Sequence, residues 1–321
     1  VMSTIFHLRQ IWRRLSCSLA TLHLQVNDSK TGIGHDVPRG RGPWPKDNAL
    51  SSVTEWLVKR LGATDEHDRE LISVSRLMLD SVSGMERGER LSRRWKAGES
   101  QSEALSILAD RWNTGQPLQH MLNEAHFMGL KLFSDGRALI PRPETEELVH
   151  AMMGLSSSLG LNTRRVLDVG TGSGCIALAW SKRHPLDAVV GLDVSREALD
   201  QAALNAELVG AHDVIWEHRN ALENQDAWPA QPFDVVISNP PYIPSSERTE
   251  MELRVVDQEP SAALFVPDDD PLLFYRRIME SSISAGWLKQ GGWLGFECHK
   301  DFTEDVLDLL STREWEKVER R

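Results

Sequence analysis

From Arg165 onward the chain repeats one pattern: a short apolar strand, a turn, then an amphipathic helix. "RRVLDVG" and "AVVGLDV" read as buried strands, with "GCIALAWSKRH" as the helix between them. "REALDQAALNAELVG" is the next helix, and "DVIWEHRN" and "FDVVISN" are the third and fourth strands. "DPLLFYRRIMESSISAGWL", "GGWLGFEC" and "DFTEDVLDLLS" continue as helix, strand and helix. Such alternation predicts an α/β fold, a mostly parallel sheet with helices on both faces. Ligands in that architecture bind at the carboxyl ends of the strands. Two unusual stretches stand at such ends: "GTGSG" after the first strand and "NPPYIP" after the fourth.

The first, within "VLDVGTGSGCIALA", places Gly170, Gly172 and Gly174 between a strand and a helix, with Asp168 ahead of them and Thr171 and Ser173 interleaved. Glycine permits a tight turn and lets a ligand lie against backbone N–H groups. Asp193 ends the next strand, where a carboxylate can accept both hydroxyls of a ribose. Loop and acid together indicate a nucleoside-bearing ligand without saying which. Gly172 to Ala177, "GSGCIA", also satisfies the dinucleotide pattern G-x-G-x-x-A, so NAD stays open beside S-adenosylmethionine. The G-x-G-x-G register leans to the latter.

The second stretch is a rigid corner. Asn239 precedes a proline and is pushed towards extended backbone. Pro240 and Pro241 fix their own φ angles and remove two N–H donors. What remains is two acceptors at fixed spacing, the Asn239 side-chain oxygen and the Pro240 carbonyl. They suit a planar NH₂ group, against which Tyr242 can stack. The nitrogen of a carboxamide or exocyclic amine is a poor nucleophile because its lone pair is delocalised. Holding both N–H bonds orients it and favours charge developing on it during attack. The corner accepts adenine and glutamine equally well.

The remainder of the chain bounds these readings. Net charge is −11, which argues against a general nucleic-acid binder, and no run of about 18 apolar residues supports a transmembrane helix. Residues 1–50 hold seven basic against three acidic side chains, +4, leaving −15 for the rest. "IFHLRQIWRRLSCSLATLHL" mixes apolar residues, arginines and serines ahead of the first acid, Asp28. We read residues 1–47 as a transit peptide and linker, and expect a mitochondrial matrix protein, with the cytoplasm as the alternative. Residues 48–122 carry three helical patterns and form a helical bundle domain. Residues 123–142 are expected to form a connecting β-hairpin turning at Ser134-Asp135-Gly136, and residues 143–321 the α/β domain. Cys17, Cys175 and Cys298 form no CxxC pair, and the eleven histidines, His120 and His126 among them, show no ligand spacing. We expect no metal.

Taken together, "LIPRPETEELV" (139–149), "VLDVGTGSGCIALA", "ISNPPYIP", "EPSAALF" (259–265) and "GGWLGFE" (291–297) resemble the HemK/PrmC family of protein-(glutamine-N5) methyltransferases. Asn-Pro-Pro-Tyr is shared with adenine-N6 enzymes, so "LIPRPETE" is the discriminating piece. The resemblance implies a class I S-adenosylmethionine-dependent methyltransferase, Rossmann-like, that modifies the Gly-Gly-Gln loop of a peptide-chain release factor. Its helical domain would recognise that factor, and no direct nucleic-acid contact is expected. By position, Asp168, Gly170, Thr171, Gly172, Ser173, Gly174 and Asp193 would hold the cofactor, with Asn220, Ala221 and Asn239 bordering it. Asn239, Pro240, Pro241 and Tyr242 would bind the substrate amide; Asn239, Pro240 and Tyr242 are the catalytic set. Arg142 and Glu144 would lie close by. The family's sheet order 3-2-1-4-5-7-6 leads to the expectation that the last sheet strand is missing after "EWEKVERR". The competing readings are an adenine-N6 methyltransferase on DNA or RNA and a non-catalytic protein retaining the cofactor fold.

Overall fold

The computed structural model describes residues 40, 42–63, 68–223, 228–251, 258–311 and 315. Nearly all of the leader expected over residues 1–47, and the carboxyl-terminal stretch where the last strand is expected to be missing, lie outside the described residues. By contacts the chain divides into two compact units, residues 1–114 and 115–321.

The first unit contains α1 (Leu50–Arg60), α2 (Arg69–Ser83), α3 (Arg87–Ser92) and α4 (Glu99–Asn113). Asp68 starts α2 by accepting from the Leu71 amide, and Gly84 ends it at φ 64°, as N-cap and C-cap chemistry prefer. Val53, Leu57, Met78, Leu79, Leu105 and Ala109 face inward at helical spacing and form the core. Arg90 is buried with them and pairs with Asp80 and the Met85 carbonyl, tying α3 to α2. No helix among the described residues is long and apolar enough to cross a membrane.

The second unit opens with α5 (Leu118–Leu122), β1 (Ala125–Phe127) and β2 (Leu130–Leu132). It begins at Gly115, ahead of the boundary expected after residue 122, because α5 packs on this unit: His120 lies against Gly136. The hairpin turns at Met128-Gly129, with φ of 47° and 78°, and not at Ser134-Asp135-Gly136. Two consecutive positive φ angles are what a two-residue hairpin turn needs. Asp135 instead binds the Arg137 amide and guanidinium, bending the chain towards "ALIPRP".

There follow α6 (Pro143–Ser156), β3 (Arg165–Val169), α7 (Cys175–Arg183), β4 (Ala188–Asp193), α8 (Arg196–Val209), β5 (Ile215–His218) and β6 (Phe233–Ser238). A small parallel pair, β7 (Ile243–Pro244) and β8 (Phe265–Val266), brackets α9 (Ser261–Leu264). Then come α10 (Leu273–Ile283), β9 (Leu288–Phe296) and α11 (Thr303–Ser311). The main sheet runs β5-β4-β3-β6-β9, every pair parallel, which is 3-2-1-4-5 in the order expected of the family. Val166, Val235 and Ile237 face one apolar layer with α6 and α7. Leu167, Val169 and Val236 face the other, with Ile278 of α10 and Trp287. The strand order reverses between β3 and β6, so the crevice opens at their carboxyl ends. The two unusual sequence stretches meet there.

Candidate active site

The glycine loop leaves β3 through three left-handed residues, Gly170, Gly172 and Gly174, at φ 73°, 53° and 81°. It is braced from below. Asp168 is fully buried, and its Oδ2 accepts from the Thr171 hydroxyl (2.6 Å) and the Ala177 amide (3.1 Å). Burial pushes its carboxyl up to about 7 against these two bonds. From behind, Asn205 of α8 donates to the Ser173 carbonyl (2.9 Å) and also grips both backbone groups of Phe133. Gly191 of β4 makes the close packing possible, since a Cβ there would lie 2.5 Å from the Trp216 ring and 2.8 Å from the Thr171 hydroxyl.

Asp168, Thr171 and Ser173, expected to touch the cofactor, are 0%, 3% and 2% exposed. They shape the loop from within and present almost no surface to a ligand. Gly170 does face out: nothing lies within 4 Å of the Cβ it lacks. Asp193, at the end of β4, accepts from the Gly172 amide (2.8 Å) and the Ser195 amide (2.9 Å), which orients both carboxylate oxygens. Burial raises its pKa and these bonds oppose the rise. Beside it opens a cavity of about 300 Å³ lined by Val194, His218, Arg219, Asn220 and Glu223. Asn220 borders this cavity, though its side chain also closes its own turn by accepting from the Leu222 amide. Ala221 is buried in the apolar layer with Val190 and Phe233 and is a packing residue. An open glycine turn, an oriented carboxylate and an adjoining cavity fit a nucleoside-bearing cofactor.

The corner sits at the end of β6. Ser238 is locked by donating to the Val169 carbonyl (2.7 Å), which ties the corner to the strand carrying the glycine loop. Asn239 donates through Nδ2 to the Thr145 hydroxyl (3.0 Å). Thr145 donates to Glu297 Oε2 (2.6 Å), and the Tyr242 hydroxyl donates to Glu297 Oε1 (3.1 Å). Pro240 is buried and Pro241 half-buried, so the corner is seated in the protein. The Tyr242 ring packs on His299, 5.9 Å between centroids. Burial and the Glu297 carboxylate push the Tyr242 hydroxyl well up, so it stays a protonated donor at neutral pH.

Arg142 and Glu144 do lie close by. Arg142 donates to Glu259 Oε1 (2.7 Å), a carboxylate nearly inaccessible to solvent. Glu144 is near enough to raise the pKa of both Glu297 and Tyr242. Thr145, Glu297, Glu259 and Asn205 are missing from the expected site residues. The first three stand inside "LIPRPETEELV", "GGWLGFE" and "EPSAALF", which was the available signal; Asn205 has none. Burial pushes the Cys175 thiol up to about 12 and that of Cys298 to about 11, so neither is a thiolate nucleophile.

Residues 148–261 match the family model described as "Methyltransferase small domain". Among curated proteins, the chain is 40% identical over 196 residues to the release factor glutamine methyltransferase of Flavobacterium psychrophilum, covering 61% of this chain and 67% of that one. It is 38% identical over 208 residues to the protein of that name from Bacteroides thetaiotaomicron, covering 65% and 72%. The likeness to the one from Gloeobacter violaceus is 33% over 280 residues, covering 83% of this chain and 94% of the relative. The glycine loop and the Asn-Pro-Pro-Tyr corner, brought to one crevice, agree with these likenesses: the chain belongs to the release factor glutamine methyltransferase family.

Proposed function

We infer that this protein methylates the side-chain amide nitrogen of the glutamine in the Gly-Gly-Gln loop of a peptide-chain release factor, using S-adenosylmethionine. One observation carries the chemistry. The nitrogen end of Asn239 is tethered to Thr145, so its oxygen end is the acceptor left for an incoming amide. Bound S-adenosylmethionine supplies an electrophilic methyl on a sulfonium. Asn239 Oδ1 and the Pro240 carbonyl receive the two N–H bonds of the glutamine amide and aim its nitrogen along the transfer line. Tyr242, its hydroxyl fixed on Glu297, offers its ring to the amide plane. Orientation of this kind is worth about 7–11 kcal/mol in favourable cases. The proton leaves after transfer, so no general base acts in the transition state.

The experiment is label transfer from methyl-labelled cofactor to a release factor, to its Gln→Ala loop variant, and to DNA. Label on the first alone is expected. Label on DNA, or equal label on the Ala variant, overturns the reading.

The helical unit supports the partner assignment. It carries a cavity of about 970 Å³ with an apolar floor, including Ile72, Leu79 and Trp95. The exposed side chains of Arg76, Arg87, Arg94 and Lys96 stand along it. In a chain of net charge −11 such a basic rim suits an acidic, partly apolar segment of the release factor. Replacing Arg76, Arg87 and Arg94 together by Gln is expected to raise the KM for the release factor about tenfold at low salt, at about 0.5 kcal/mol per lost contact. An unchanged KM removes this groove from the interface.

The composition of residues 1–47 supports placement in the mitochondrial matrix. A fluorescent fusion of residues 1–45 is expected to enter mitochondria; diffuse cytosolic signal refutes this.

A further inference from the structure

We propose that Glu297 and Thr145 are positioning residues that set the polarity of the Asn239 amide and so decide whether the corner accepts or repels a substrate NH₂ group. The proposal rests on the function inferred above and adds to it the device that orients the clamp. It follows from counting protons. An ionised carboxylate can only accept, and a hydroxyl has one proton to give. Thr145 gives that proton to Glu297 Oε2 in a bond of 2.6 Å, the short length typical of a charge-assisted pair. Its oxygen can then only accept from Asn239, which must turn Nδ2 inward and Oδ1 outward.

The carboxylate is held in place from several sides. Its own amide donates to the Ser238 carbonyl (3.0 Å), its carbonyl accepts from the Tyr275 hydroxyl of α10 (3.2 Å), and its second oxygen accepts from Tyr242. The other charged or titratable groups near it are Glu144 at the start of α6, with Arg142 beside Tyr242, Cys175 of α7, and Cys298 next in the chain. His299 packs on the Tyr242 ring.

If Glu297 gains a proton or becomes glutamine, the chain of hydrogen bonds can reverse. Thr145 is then free to donate to the Asn239 oxygen, and the amide turns its NH₂ group towards the substrate's NH₂. A clamp with two acceptors becomes one with an acceptor and a clashing donor. Burial, with Glu144 adding to it, raises the Glu297 pKa, and the bonds from Thr145 and Tyr242 oppose that rise. The active form is the ionised one, so turnover is present above this pKa and is lost as pH falls through it.

The test is kcat and KM against pH, with a release factor as substrate, for the unaltered protein and for Glu297→Gln, Thr145→Val and Thr145→Ser. Glu297→Gln and Thr145→Val are expected to lower kcat about 10²-fold, the scale seen when one preorganised dipole is lost. Thr145→Ser, which keeps the hydroxyl, is expected to restore most of the rate with its acid limb intact; in Glu297→Gln the acid limb of kcat disappears. Cofactor binding by the same samples shows that they are folded, and the Val/Ser pair still decides if Glu297→Gln is not. Rates near the unaltered one for Thr145→Val, or an acid limb persisting in Glu297→Gln, overturn the proposal. Failure of the unaltered protein to methylate any release factor overturns instead the function on which it rests.

Discussion

Asn239→Ala is expected to lower kcat for release-factor methylation by about 10²–10³-fold, while cofactor affinity stays within about threefold. In the proposed clamp, the substitution deletes the acceptor for one N–H of the substrate amide. It also releases Thr145, which no longer receives a bond from Asn239. The backbone of the corner is retained, because the two prolines and the Ser238 bond to the Val169 carbonyl fix it independently. The Pro240 carbonyl therefore still accepts, and residual activity comes from that half of the clamp. Single-turnover rates at saturating cofactor, set beside calorimetric cofactor affinity, separate the two effects. A parallel fall in rate and affinity would show that Asn239 serves the cofactor and not the amide.

Asp193→Ala is expected to act on the other half of the crevice, weakening cofactor binding by roughly 10²-fold or more. Two hydrogen bonds from ribose hydroxyls to a carboxylate are each worth about 1.5–3 kcal/mol. The same change leaves the Gly172 and Ser195 amides without their present acceptor, so the loop that meets the cofactor loosens as well. Asp193→Asn keeps one acceptor oxygen and is expected to lose less. With the carboxylate as the binding form and burial raising its pKa, affinity is expected to be full above that raised value and to fade as pH falls through it. Titration calorimetry between pH 4 and 8 checks both the size and the direction. Unaltered affinity in Asp193→Ala would move the ribose elsewhere in the crevice.

Most of the architecture was legible because its signals are local. Strand and helix periods of the α/β unit lie within stretches of four to fifteen residues, and all five sheet strands stand where the alternation placed them. The hairpin does not turn at Asp135-Gly136, which carries the stronger turn composition, but at Met128, a non-glycine residue at positive φ. Glu146 of α6 explains why that site wins, since its carboxylate accepts from the Met128 amide. Asp168 carries the opposite lesson. Its place beside the glycines suggested a ligand contact, and only its complete burial makes it a brace.

The sequence alone determined the alternation of strands and helices, the glycine turn after β3 and the stiff acceptor corner after β6. Each depends on backbone freedom or periodicity, which neighbouring residues set. Only the tertiary structure decided which way Asn239 faces. That choice is made by Thr145, 94 residues away, and by Glu297, 152 residues beyond Thr145. The direction of a hydrogen bond depends on which partner holds the proton, and here the sheet brings those partners together.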